Sequence, residues 1–252
     1  MTNKKDLLQR LLKGIETGDP EAASVVNEDV YIQHNPQTHE GSEGLASLFR
    51  QLSRTNPRIT FHRVFEDGDF AFAHNEYDFA SLRVAFEVFR FENGKAVEHW
   101  DNIQPMPGPN PSGRGMLDGA TEIRDLDQTD ANRALVRDFA ETVLVGRNHG
   151  SMERHVADHL IQHDPDIADG RACYLSALGA YRNGQPRRRY DVVHKVLAEG
   201  NFVLCMSEGF RDQVHSSFYD LFRVSSGRIV EHWDTIEAIA PRSEWKNTNG
   251  KF

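Results

Sequence analysis

Apolar residues recur along this chain with two periods, and the same succession of periods occurs twice. Leu7, Leu8, Leu11, Leu12 and Ile15 fall on one stripe of a 3.6-residue helix, and Val136, Phe139, Ala140, Val143 and Leu144 form a matching stripe further on. A short acidic helical stretch follows each stripe, then a strand-like segment containing Ile-Gln-His, then a third helix expected near residues 45–52 and 174–181. The period then changes to two. Aromatic and β-branched runs are separated by turn signals, Asp67-Gly68 and Asn93-Gly94 in the first half and Glu199-Gly200 and Ser226-Gly227 in the second. Helices followed by an antiparallel meander predict an α+β fold, with the helices packed on one face of a curved sheet.

The sequence itself repeats in the same order. YIQHNP at 31–36 answers LIQHDP at 160–165, which places His34 and His163 129 positions apart. HRVFEDGDF at 62–70 answers HKVLAEGNF at 194–202 with an offset of 132, and FEVFRFENGKAVEHWDNI at 86–103 answers YDLFRVSSGRIVEHWDTI at 219–236 with an offset of 133. Preserved order with small insertions between blocks points to a tandem duplication of one domain of about a hundred residues. The expected layout is a first copy at 1–106, a Pro- and Gly-rich linker at 107–127, a second copy at 128–240 and a tail at 241–252.

A net charge of -9 argues against phosphate-rich partners, because nucleic acid and anionic lipid are held by clustered Lys and Arg. The one basic cluster, Arg187–Arg189, has no counterpart in the first half and reads as a solvated strand start. Cys173 and Cys205 lack metal-like spacing and align with Gly44 and Ala73, so no disulfide is expected and a reducing compartment is the default. With no apolar run of membrane-spanning length, the expected location is the cytoplasm.

Strand alternation selects the candidate chemistry. In VEHWD, His99 and Asp101 share one face, and His232 and Asp234 repeat the pair. An imidazole beside a carboxylate is an orienting pair for acid/base work. Glu87 and Asp220 stand among apolar residues on the preceding strand, where a carboxylate must be paired or carry a raised pKa. His34 and His163 precede Asn-Pro and Asp-Pro; each either caps that turn or joins the site. His74, Glu76 and Glu208, on the long middle strand, and Trp100 and Trp233, within VEHWD, are candidate substrate contacts, although His74 becomes Met206 in the second half. A three-His metal site from His155, His159 and His163 is disfavoured, because the first two align with Val26 and Val30. A mixed site of His34, His99 and Asp101 is the alternative, and the preferred reading has no metal and no cofactor.

These motifs, YIQHNP with a following Gly, a DG turn between strands, and FR...GK.VEHWD.I, resemble the SnoaL-like polyketide cyclase branch of the nuclear transport factor 2-like (cystatin-like) superfamily, once per copy. The resemblance implies two tandem cone-shaped α+β barrels, each a bent antiparallel sheet on about three helices with a pocket inside. It also implies pairing through sheet faces, as an intramolecular pseudo-dimer or a homodimer. Its best known members close rings by aldol condensation with a carboxylate acid/base; relatives include isomerases, dehydratases and epoxide hydrolases, beside members that only bind ligands. The terminal-strand carboxylate carried over is Asp101 or Asp234, with His99 or His232 and His34 or His163 beside it. The expected function is therefore a cofactor-independent acid/base enzyme acting next to a carbonyl on a small apolar molecule, by cyclisation, isomerisation or dehydration. The alternative is a non-catalytic small-molecule binding protein, and the first copy is the expected home of the richer polar site.

Overall fold

The computed structural model describes residues 3–39, 53–54 and 56–252. The third helix expected at 45–52 lies outside the described residues. Two compact units emerge, one comprising Met1–Met106 with Ala240–Phe252, the other Pro107–Ile239. The stretch read as a linker thus folds into the second unit, and the tail folds into the first. Proline and glycine do exclude regular structure there, but they do not exclude packing. Met116 and Leu117 are buried, and the Asn110 amide donates to the carbonyls of Gln162 and Ile167 at 2.7 and 2.9 Å.

In the first unit, helix α1 (Lys4–Thr17) is capped by Asn3, whose side chain accepts from the Lys5 amide, and stops at Gly18 at φ 69°. A 3₁₀ turn (Pro20–Val25) leads to the two-residue strand β1 (Ile32–Gln33). Strands β2 (Arg58–Asp67), β3 (Phe70–Asp78), β4 (Leu82–Glu92) and β5 (Lys95–Pro105) form an antiparallel meander, and β1 adds parallel to β5. The order is β1-β5-β4-β3-β2. Asn93 and Gly94 both take positive φ at the β4–β5 turn, as a two-residue hairpin requires.

The second unit repeats this topology. Helix α2 (Thr129–Phe139) continues through a π-helical turn (Ala140–Val145), and all five residues of its predicted stripe are buried in the core. A short helix α3 (Met152–His155) ends where β6 (Val156–Gln162) begins. Helix α4 (Arg171–Leu178) stops before Gly179, short of the expected Tyr181, which instead opens the small hairpin β7 (Tyr181–Arg182) and β8 (Gln185–Pro186). Strands β9 (Arg188–Glu199), β10 (Phe202–Arg211), β11 (Val214–Ser225) and β12 (Arg228–Ala238) complete a sheet of order β6-β12-β11-β10-β9.

Each sheet places its helices on one face. In the first, Leu8, Leu11, Ala73, Tyr77, Ala85 and Phe89 share a core, and Glu87, His99 and Asp101 alternate onto that same face. Phe72, Phe86, Val88 and Trp100 are buried on the other. Both cysteines are free, and burial pushes the Cys205 thiol up to about 12. No helix among the described residues is long and apolar enough to cross a membrane.

One glycine fixes how closely β9 approaches β10. A Cβ on Gly209 would lie 1.9 Å from the Arg189 carbonyl, beside a register shift in the β9–β10 pairing. Gly209→Ala is expected to destabilise the second unit by about 1–3 kcal/mol through overpacking, read as a lower urea midpoint. An unchanged midpoint would show that the two strands separate freely.

Candidate functional site

In the first unit, the buried carboxylate of Glu87 organises a relay. His99 Nε2 lies 2.6 Å from Glu87 Oε2, and the Tyr77 hydroxyl donates to Glu87 Oε1 at 2.6 Å. The other ring nitrogen, Nδ1, is 2.9 Å from Gln33 Oε1, an oxygen that already accepts from the Asn35 amide. An acceptor at that place makes Nδ1 the donor, so the Nε2–Glu87 contact holds one proton between ring and carboxylate. Burial, only partly offset by His99, raises the Glu87 pKa. Asp101, two residues beyond His99, accepts from the Asn35 side chain at 2.6 Å and pairs with Lys251 Nζ at 3.2 Å. Burial works to raise its pKa, but the Lys251 ammonium, with His99 and Asn35, brings it below the usual carboxylate range.

The second unit rebuilds the relay with substitutions. His232 Nδ1 meets Gln162 Oε1 at 2.9 Å and Nε2 meets Asp220 Oδ1 at 3.0 Å, while the Tyr190 hydroxyl donates to the same oxygen at 3.2 Å. The tyrosine has changed strands. Tyr77 on β3 faces Ile59 on β2, whereas Tyr190 on β9 faces Gly209 on β10. Asp164 replaces Asn35, and Arg188 Nη1 pairs with Asp164 at 2.5 Å and with Asp234 at 3.6 Å. Burial opposes ionisation of Asp164, but the Arg188 guanidinium outweighs it and holds the carboxyl well below the usual range. Asp234 goes the other way, pushed well up by burial and by the Asp164 charge beside it. The two units therefore shift their aspartates in opposite directions, Asp101 below the usual carboxylate range and Asp234 above it.

One family model matches within the first unit. Residues 8–99 match the SnoaL-like domain. No curated protein matches the sequence. Among solved structures, TsrD from Streptomyces laurentii is 21% identical over 41% of this chain and 91% of its own, with a TM-score of 0.36. A candidate ketosteroid isomerase from Kribbella flavida is 22% identical over 45% and 84%, at 0.38. A candidate polyketide cyclase from Bacillus cereus is 19% identical over 39% and 72%, at 0.35.

Within the SnoaL-like domain and its second-unit counterpart, the structure gathers Glu87, His99 and Asp101, and Asp220, His232 and Asp234, each set around one sheet face. It separates the other candidates from them. His34 and His163 lie across the strand: His34 stacks on Trp100 with ring centroids 4.7 Å apart, and its Nε2 is 2.9 Å from Glu98 Oε1. His163 stacks on Trp233 at 4.8 Å and meets Glu231 at 3.0 Å. Their Nδ1 atoms face the carbonyls of Gly250 and Gly115, so each ring clamps an irregular segment of its own unit. Trp100 and Trp233 are therefore stacking partners on the far face, not companions of Asp101 and Asp234. His74 stacks on Phe86 at 4.3 Å on that far face; Glu76 pairs there between Thr60 and Val84, and Glu208 bonds His194 and His215. In a strand, neighbours point oppositely. In the repeated Ile-Gln-His, the glutamine reaches the relay and the histidine turns away.

Residues the sequence reading missed complete the site: Gln33 and Gln162, Tyr77 and Tyr190, Asn35 and Asp164, Lys251, and Arg188. The Arg187–Arg189 cluster is not a solvated strand start, since Arg188 is buried, with Arg187 bound to Asp212 and Arg189 to Asp191. Lys251 and Met116 each follow the glycine whose carbonyl meets His34 or His163; one unit has an ammonium at that place and the other a thioether. Both units nevertheless set one fixed cation against the terminal-strand aspartate.

Among the described residues, Glu87, His99 and Asp101, and likewise Asp220, His232 and Asp234, offer ligand atoms within 4.8 Å of one another, so these sets could hold a metal. His34 belongs to neither. Lys251 and Arg188 already supply positive charge at the same aspartates, so a divalent ion would have to compete with them. His155 ends α3 against Asp138 at 2.7 Å and His159 lies on β6, so the three-His set is not assembled. A cavity of about 460 Å³ opens in the second unit, with Arg188 in its wall beside Ile167, Ala177, Arg187 and Arg211.

Proposed function

We propose that this protein is a general acid/base enzyme that moves a proton next to a carbonyl in a small, largely apolar molecule, by aldol-type cyclisation, isomerisation or dehydration. The observation that carries this reading is the buried carboxylate–imidazole–amide relay, built twice with its tyrosine and its cation supplied from different places. A merely structural polar contact has no need of that compensation. Asp101 is the base: the ammonium of Lys251 keeps it ionised in a buried site and so ready to accept a proton from a substrate C–H. His99, held by Gln33 and Glu87, is the positioning and proton-carrying partner. In the second unit Asp234 is the acid, protonated and able to donate to a carbonyl oxygen.

Turnover across a panel of β-keto and enone compounds, followed against pH, tests this. Rate resting on Asp101 is expected to persist to about pH 4 and fall as the pH drops through its lowered pKa; the Asp234 contribution fades as the pH rises through a raised one. Binding without conversion at every pH would replace this reading with that of a ligand-binding protein.

A further inference from the structure

The second unit brings its buried cation from strand β9 and sets a second carboxylate, Asp164, beside it. Asp164 aligns with Asn35, and the strand register, with Phe210 facing Arg189 as Asp78 faces Arg58, sets Arg188 against Pro57, so both members of the ion pair are present in one copy and both absent from the other. A buried ion pair is weak evidence for stability, because desolvation offsets most of its Coulombic gain. The pair must then be explained by something other than the fold. Arg188 also lines the cavity of about 460 Å³, whose other charged walls are Arg187, Arg211 and Asp166, with Cys173 and Ser176 as its remaining polar groups among several alanines. Both ion pairs of Arg188 run through Nη1, so the remaining donors of its planar fork are not spent on them. In the same unit, though not in the cavity wall itself, the Tyr174 hydroxyl, the Gln162 amide nitrogen and Asp220 Oδ2 are buried without a hydrogen-bond partner. Buried polar groups are nearly always satisfied, and a cluster that is not points to a polar guest. Tyr174 stacks on His232 with centroids 5.0 Å apart, which ties these groups to the relay.

We propose that the second unit's cavity binds a small apolar molecule bearing a carboxylate, with Arg188 as the residue that reads the charge and the alanine-rich wall holding the hydrocarbon. This deepens the acid/base reading by naming a substrate class for the second site, and it rests on that reading only for what happens after binding. A guanidinium fork grips a carboxylate through two parallel N–H donors and has no equivalent grip on a carboxamide. Arg187 and Arg211 stand in the same wall but are already paired, with Asp212 and Asp166, so discrimination between an acid and its amide falls to Arg188.

Calorimetric titration with matched probes decides it: benzoate, 2-naphthoate and cyclohexanecarboxylate against their carboxamides. The intact protein is expected to bind at least one carboxylate about tenfold or more tightly than its amide. Arg188→Asn with Asp164→Asn, which removes both charges of the closer pair and leaves Asp234, whose pKa burial raises, should fold, keep the amide affinity and lose the preference. Arg211→Gln, which leaves Asp166 unpaired in the same wall, should weaken only the carboxylate, by a few-fold. Equal affinity for acid and amide in the intact protein, no binding of either, or a preference that survives the double substitution would overturn the proposal. Because the readout is binding, absence of turnover leaves this result untouched, and loss of the carboxylate preference leaves the role of Asp101 untouched.

Discussion

Replacing Asp101 and Asp234 together by Asn is expected to lower turnover by about 10²–10⁴-fold, the usual contribution of a positioned acid or base. An amide keeps the shape and most hydrogen bonds of the carboxyl but cannot take up a proton. The two substitutions should not contribute equally. The pKa of Asp234 is raised and that of Asp101 lowered, so Asp234→Asn is the milder change, whereas Asp101→Asn removes the carboxylate that the site keeps ionised. It also strips the buried Lys251 of its counter-charge, which confounds a loss of activity with a loss of structure. Adding Lys251→Met restores the charge balance and places at 251 the residue type found at 116. The triple variant is therefore expected to keep its circular dichroism spectrum and its melting temperature to within a few degrees, while kcat collapses. Wild-type kcat in the triple variant would remove both aspartates from the mechanism.

The division between what the sequence disclosed and what it did not follows from the range of the forces involved. Periodicity is local, so the helical stripes of Leu7–Ile15 and Val136–Leu144, the hairpin glycines and the shared face of His99 and Asp101 were legible one residue at a time. Duplication added a filter that picked out the Ile-Gln-His segment, yet it could not say which of its residues faced the site, because β1 is only two residues long and its register is set by pairing with β5. The cations were invisible for a different reason. Lys251 lies 150 positions from Asp101, and Arg188 was hidden in a run whose neighbours are surface residues. Alignment also concealed the moved tyrosine, since matching position to position pairs Tyr77 with a glycine. A repeated function can keep its chemistry while exchanging the backbone sites that deliver it, and only the folded geometry shows the exchange.

Lys251→Met alone is expected to destabilise the first unit by about 3–5 kcal/mol at pH 7, the typical result of removing one partner from a buried pair. Lys251 and Asp101 are 5% and 4% exposed, so solvent screens the contact little. The pH dependence separates this electrostatic effect from lost packing. Asp101 is lowered in the folded protein, so its contribution to stability is fully present above its unfolded pKa of about 3.9 and is lost as the pH falls through the folded value. Without the ammonium, burial dominates and raises the pKa of Asp101, and the carboxyl becomes a liability at pH 7 that protonation relieves. The gap between wild type and variant, measured by urea unfolding, should be largest near neutrality and shrink toward pH 3. Equal destabilisation at both pH values would mean that Lys251 acts through its hydrocarbon stem. A gap that closes in acid, and closes equally at pH 7 once Asp101→Asn is added, assigns the effect to the charge pair, because only ionised Asp101 has any use for the ammonium.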